Sequence, residues 1–235
     1  MSKHKTPVME DLDAEFKVIL KTKPAFTVIP ESFIEEVFLK ACQSKPLFNG
    51  TMICVYERTP KLITTYPLSF KEYLAANHLP GYPHQHKPLA VSGWVLYREC
   101  VLLGMRSPQV LFFPGFFELV PSGGIDGRAV LENGEVHYQK ALEAEFEEET
   151  GMTLEDIDFI KPQALLYCPQ QSLYDICQSI HLHTQREVEL DTSNLEYSEL
   201  FWVPLQELQK FVESHHQKIL PTSLALIKAK ILSSR

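Results

Sequence analysis

Several common features are missing from this chain of 235 residues. No apolar run approaches the roughly 18 residues that a membrane-spanning helix needs, so none is expected. The polar start MSKHKTPVMEDLDAEF leads into no apolar h-region, which argues against a secretory signal. Cysteine is scarce. Cys42, Cys54, Cys100, Cys168 and Cys177 are odd in number and form no CxxC pair, and they read as reduced thiols of a cytoplasmic protein. Positive charge is in deficit as well, since 22 Lys and Arg face 30 Asp and Glu for a net charge of −8. Nucleic acid and anionic membranes both demand a positive surface, so neither is an expected partner. A small molecule bound in a local basic pocket is compatible with this balance.

What the chain does have is a core: 45% of its residues are hydrophobic, enough for one large domain or a domain with a substantial extension. The first 30 residues read as a loose polar start with strand character around Phe16–Leu20. Apolar residues at helix spacing (Phe33, Val37, Phe38, Ala41) predict a helix from Pro30–Ser32 to Lys45–Pro46. Asn49-Gly50 marks a turn before a strand at Thr51–Tyr56, with Leu62–Tyr66 as its partner. Ser69 is placed to cap a short helix. The stretch from Leu79 to Pro88 is rich in proline and reads as a connection, which gives an N-terminal α/β extension over residues 1–86 and a second domain over 87–235. Strands are expected at Leu89–Tyr97, Cys100–Gly104, Phe116–Val120, Phe159–Tyr167, Ile176–His183 and Leu200–Val203. Helices are expected from about Val136 to Thr150, at Pro204–Ser214 and at Ser223–Leu232. Strands on both sides of a long helix, with helices closing the chain, indicate an α/β layered fold.

The helix ending near Thr150 carries Glu143, Glu145, Glu147, Glu148 and Glu149. Glu145, Glu148 and Glu149 stand at i, i+3 and i+4 and share one face, where like charges repel by a few tenths of a kcal/mol per pair. They also crowd the C-terminal end, whose dipole already disfavours negative charge, just before the stop supplied by Gly151. A divalent cation would reverse both penalties, and magnesium favours oxygen ligands. A solvated acidic face is the plainer reading of spacing alone.

The flanking residues change that balance. Gly124, Glu135, Glu145, Phe146, Glu148, Glu149, Gly151 and Met152 fall in the order of the Nudix box, Gly-x5-Glu-x7-Arg-Glu-U-x-Glu-Glu-x-Gly-U, where U is a bulky aliphatic residue. The chain therefore resembles the Nudix hydrolases over roughly residues 88 to 214. It departs from them in three places. Ala144 replaces the box arginine, ten residues (Ile125–Gly134) separate Gly124 from Glu135, and one extra residue precedes Glu145. Arg128 and Lys140 are candidates to replace the arginine. The resemblance implies an α/β/α sandwich with a mixed sheet, and Mg2+-dependent (or Mn2+-dependent) cleavage of the diphosphate bond in a nucleoside diphosphate linked to another group. It implies metal ligands Glu145, Glu148, Glu149 and Gly124, with Glu148, Glu149, Glu196 or Glu199 as catalytic carboxylates. Arg106 and Arg128 would contact the substrate, Arg106 as an exposed residue after a strand. The extension, with Leu47-Phe48-Asn49-Gly50, and the lengthened loop resemble the branch that hydrolyses UDP-glucose and UDP-galactose. The extension would then shape the nucleotide pocket or a homodimer interface. A catalytically weak or inactive nucleotide-binding or regulatory module on the same scaffold is the alternative, and fold alone does not decide between them.

Other residues give weaker signals. His84 with His86, and His181 with His183, place imidazole pairs on one face, but further zinc ligands at suitable spacing are lacking. Cys168 and Cys177 lack a nucleophile signature. The aromatic run Phe112–Phe117 could stack on a nucleobase, although packing is the plainer reading.

Overall fold

The structure is a computed structural model that describes residues 6–26, 28–43, 47–79, 86–184 and 196–233. Its main element is a mixed eight-stranded sheet. The strands are β1 (Val8–Asp11), β5 (Leu89–Tyr97), β6 (Cys100–Arg106), β7 (Phe117–Leu119), β8 (Ser122–Gly124), β9 (Ile157–Cys168), β10 (Leu173–Leu182) and β11 (Tyr197–Pro204). They run in the order β1-β9-β10-β5-β6-β11, with β7 paired to β6 and β8 to β5. Within this sheet β10 and β5 pair in parallel, from Tyr174 opposite Leu89 to His181 opposite Leu96. A smaller sheet joins β2 (Lys17–Leu20), β4 (Leu62–Ser69) and β3 (Thr51–Arg58) in that order. Helices α1 (Glu31–Cys42) and α2 (Phe70–His78) accompany it. Ser69 caps α2 as its sequence predicts, with Glu72 completing a capping box.

Alternation along the central strands sends side chains to two faces. On one face, Val91, Val95, Ile176 and Ile180 meet Leu142 and Phe146 of α3 (Tyr138–Thr150), together with Phe16, Val18, Ile53, Val55 and Ile63 from the small sheet. On the other, Trp94, Leu103, Leu166 and Cys177 meet Leu208 and Val212 of α4 (Leu205–His215) and Leu226 of α5 (Pro221–Leu226). These layers are the expected α/β/α sandwich with a mixed sheet. The core crosses residue 86: small-sheet residues pack in the same cluster as Leu89 and Val91, and β1 pairs with β9. The connection at 80–85 lies outside the described residues, as does the expected helix end at Lys45–Pro46.

Three elements differ from expectation. The loose polar start expected here instead forms β1, which is mostly exposed and held by its ladder with β9, by Arg58 on Glu10 and by Lys230 on Asp11. Ser122-Gly123-Gly124, just past the expected strand Phe116–Val120, forms a strand of its own, β8 on β5, Ser92 to Ala90. α5 starts earlier than expected, at Pro221, and continues as a π-helical segment, Ile227–Leu232. The inserted loop does bulge. It passes through a 3-10 turn at Gly127–Ala129, then returns so that Glu135 bridges Ile19 of β2, with Leu20 N–H donating to Gly134 O and Val136 N–H to Val18 O. No helix among the described residues is long and apolar enough to cross a membrane.

Candidate active site

The acidic face of α3 lies against β8. Gly151, in the left-handed conformation, ends the helix as its sequence predicts. Glu145 is half-buried, and its carboxyl rests on the backbone of Gly123. A Cβ built at Gly123 would meet Glu145 Cδ at 2.1 Å. One turn on, Glu149 is buried, and Ser122 N–H donates to its Oε2 at 3.0 Å. Gly123 and the Ser122 N–H are therefore the cradle, which the sequence shows only as a turn-like Pro-Ser-Gly-Gly. Glu148 points outward to Arg128, whose Nη1 donates to Glu148 Oε1 at 2.9 Å while its Nε holds Asp126. Beside them a hollow of about 150 Å3 is lined by Ala144, Glu145, Arg128, Lys140 and Gly124. The small side chain of Ala144 faces that space, and Arg128, on the same lining, reaches Glu148.

Electrostatics single out the same residues. Burial, then the charges of Glu196 and Glu148, push the Glu145 pKa up to about 7. Burial, then Glu196, Glu118 and Glu145, push that of Glu149 well above the usual range. Carboxylates pressed together this way favour a shared proton or a bound cation. Their all-oxygen chemistry suits Mg2+, which takes one or two carboxylates and fills its remaining positions with water and phosphate. Among the described residues no group of three or more His, Cys, Asp or Glu side chains is arranged to hold a metal ion, so Glu145, Glu148 and Glu149 do not form such a group.

Behind Glu149 stands a buried network that sequence reasoning missed. Glu118 of β7, 1% exposed, pairs with Arg106 at the end of β6. Tyr197 O–H donates to Glu118 Oε1 at 2.8 Å and lies 3.3 Å from Glu149 Oε2. Tyr197 fits because Gly104 has no side chain, since a Cβ there would meet the tyrosine ring at 2.5 Å. Arg106, expected to be exposed and facing substrate, instead has a side chain only 15% exposed, turned to Glu118 and to the Phe112 carbonyl. A second chain runs from Ser122: its hydroxyl lies 3.1 Å from that of Ser92, which donates to Asp175 Oδ2 at 2.6 Å. Burial pushes the Asp175 pKa up to about 7, with Glu118 adding to it. The available signal was a carboxylate within an apolar strand run: Glu118 in Phe-Phe-Glu-Leu-Val, Asp175 in Leu-Tyr-Asp-Ile-Cys.

The remaining candidates divide. Glu196, just before β11, lines a cavity of about 970 Å3 with Gly124, Asp126, Gly127 and Arg128, and its charge acts on both Glu145 and Glu149. Glu199 is exposed on β11 opposite Met105, outside that cavity's lining. His86 is buried against Phe26 and Tyr66, with Nδ1 2.8 Å from the Tyr66 hydroxyl, and burial pulls its pKa down to about 4. His84 lies outside the described residues. His181 stacks on Phe159, and His183 Nδ1 sits 2.9 Å from the Asp156 carbonyl, so this pair is engaged locally. Burial raises the thiol pKa of Cys168 and Cys177, which opposes nucleophile roles. In the aromatic run, Phe117 packs against Phe201, Phe211 and His215, and Phe113 against Phe116.

This architecture is the Nudix fold. A candidate Nudix hydrolase, Tm1382, has a solved structure that superposes with a TM-score of 0.53 at 12% identity, over 84% of this chain and 96% of that one. Two further structures match at lower scores. DR0079 from Deinococcus radiodurans gives 0.49 at 15% identity, over 70% of this chain and 89% of that one. A Nudix hydrolase from Alicyclobacillus acidocaldarius gives 0.44 at 15% identity, over 62% and 91%. No family model matches the sequence, and no curated protein matches it significantly.

Proposed function

We propose that the protein is a divalent-metal-dependent hydrolase that cleaves the phosphoanhydride bond of a nucleoside diphosphate linked to another moiety. The observation that carries this reading is the pair Glu145 and Glu149, held side by side on Gly123 and Ser122; Glu145 lines the small hollow, whose residues Gly124, Asp126 and Arg128 also line the cavity of about 970 Å3. That volume lies at the upper end of the range for small-molecule sites. Two carboxyl groups crowded together out of water are costly, and a site that keeps them has a use for them.

Glu145 and Glu149 would hold Mg2+ or Mn2+, with Glu148 and the Gly124 carbonyl as further oxygen donors. A bound ion would neutralise the diphosphate oxygens and lower the pKa of an attacking water. Ser122 N–H and Tyr197 fix the Glu149 carboxyl, so it need not reorganise during the reaction. Glu196, which lines the cavity, would take the proton from water. Arg128, which lines the same cavity and pairs with Glu148, would meet phosphate. Support for a UDP-sugar as substrate comes from the resemblance of the Leu47–Gly50 segment and the lengthened loop.

The test is a panel of UDP-glucose, UDP-galactose, ADP-ribose, NADH and dinucleoside polyphosphates with Mg2+ or Mn2+, read as release of a mononucleotide. Release from one of them is the expected result. Failure across the panel, with no measurable divalent binding, would favour a regulatory module.

A further inference from the structure

The lining of the large cavity is chemically mixed. Gly124, Asp126, Gly127, Arg128 and Glu196 supply its polar and charged part, and Phe48, Met52 and Phe70 its apolar part. Phe48 is 87% exposed, although apolar side chains of its size ordinarily gain by leaving water. Looseness does not explain it. Asn49 Oδ1 accepts from Lys71 N–H at 3.0 Å, and Gly50 O accepts from Phe70 N–H at 2.9 Å. Two orphan donors in the first turn of α2 thus pin the backbone that carries the ring. Gly50 lies close to one edge of that ring, 3.4 Å from Phe48 Cε1 measured at the position a Cβ would take. The charged part of the lining is tied to the same strand, because Ile53 N–H donates to Ile125 O at 3.0 Å. The backbone beside the aromatic ring and the backbone beside the charged residues are therefore tied to one framework in the lining of one cavity.

We infer that Phe48 is the stacking platform for the planar base of the nucleotide, with its phosphates directed toward Gly124, Arg128 and the α3 carboxylates; this rests on the diphosphate-hydrolase reading above. Every nucleobase offers a π-face to an aromatic ring, so such a platform selects for a base without choosing which base. Discrimination between bases then falls to polar groups at the ring edge. The chemical consequence is a preference for nucleotides over base-free phosphates of the same sugar.

The experiment measures equilibrium binding of AMP, UMP and ribose 5-phosphate to the full chain with Mg2+, for wild type, Phe48→Ala and Phe48→Tyr, with circular dichroism as the check on folding. Phe48→Ala is expected to weaken both nucleotides about tenfold, the scale of one base–aromatic stack. Ribose 5-phosphate should bind all three proteins equally, and Phe48→Tyr should retain wild-type affinity for the nucleotides. Equal nucleotide affinity in wild type and Phe48→Ala would overturn the assignment. So would a wild type that binds nucleotides no better than ribose 5-phosphate, or a folded Phe48→Ala that loses all three ligands alike. Binding does not depend on turnover, so the two readings fail separately. Phe48-dependent nucleotide binding without cleavage of any diphosphate supports the platform and sinks the hydrolase, and cleavage without dependence on Phe48 does the reverse.

Discussion

Gly123 offers a substitution whose effect follows from geometry. Adding one methyl group at this position places a Cβ 2.1 Å from Glu145 Cδ and 2.2 Å from its Oε1. Real contacts of this kind need well over 3 Å, so the carboxyl must move by roughly 1 Å, and displacement of that size at a catalytic centre costs on the order of 100-fold in rate. The obstacle is the end of a flexible side chain, so the chain relaxes by rotating Glu145 away rather than by unfolding. Replacing glycine also stiffens the unfolded chain by about 0.4–1 kcal/mol in favour of folding. Gly123→Ala is therefore predicted to melt within about 3 °C of wild type while losing about 100-fold in kcat/KM, with Mn2+ affinity, followed by electron paramagnetic resonance, falling at least about tenfold. Gly124→Ala is the internal control, because a Cβ there meets nothing within 4 Å and the main-chain carbonyl is retained. Wild-type activity and Mn2+ affinity in Gly123→Ala, or equal losses in the two variants, would refute the cradle.

Two further outcomes are expected. Arg128→Ala should lower kcat/KM with little change in melting temperature, because its pair with Glu148 is solvent-exposed and contributes at most about 1 kcal/mol to stability; Ala144→Arg added to it should restore activity by filling the hollow beside Glu145, and no rescue would contradict that substitution of roles. For Asp175, the native pKa of about 7 against an ordinary 3.8 means that the folded chain keeps a proton the unfolded chain has released, so this contribution to stability falls as pH rises from about 4 to about 7 and is flat above. Urea unfolding should show wild type losing about 3 kcal/mol more than Asp175→Asn between pH 5 and pH 8; parallel curves would contradict it.

The layers of the fold were legible because burial wrote them into the sequence. Leu89–Tyr97 is apolar on both faces since helices cover both sides of β5, and α3 shows its core positions at Leu142 and Phe146. β1 and β8 were not legible, because each is made by ladder hydrogen bonds rather than by buried side chains: Val8–Asp11 is mostly exposed, and Ser122-Gly123-Gly124 has almost no side chain to pattern. In the site, the Glu-rich face could be read because three carboxylates share one helix. Tyr197, Glu118, Asp175 and Phe48 could not be assigned, since they come from separate segments and only the fold shows what each faces. Arg106 was misjudged for the same reason: its neighbour Glu118 lies across a strand pair, 12 residues away.

Phosphorus-31 NMR of UDP-glucose incubated with the protein, with and without Mg2+, and repeated with Glu149→Gln, tests the central claim most directly. The account predicts that the diphosphate signals give way to UMP and glucose 1-phosphate with Mg2+ alone, and that a folded Glu149→Gln slows this by orders of magnitude. Metal-independent turnover, or turnover that survives in Glu149→Gln, would contradict it.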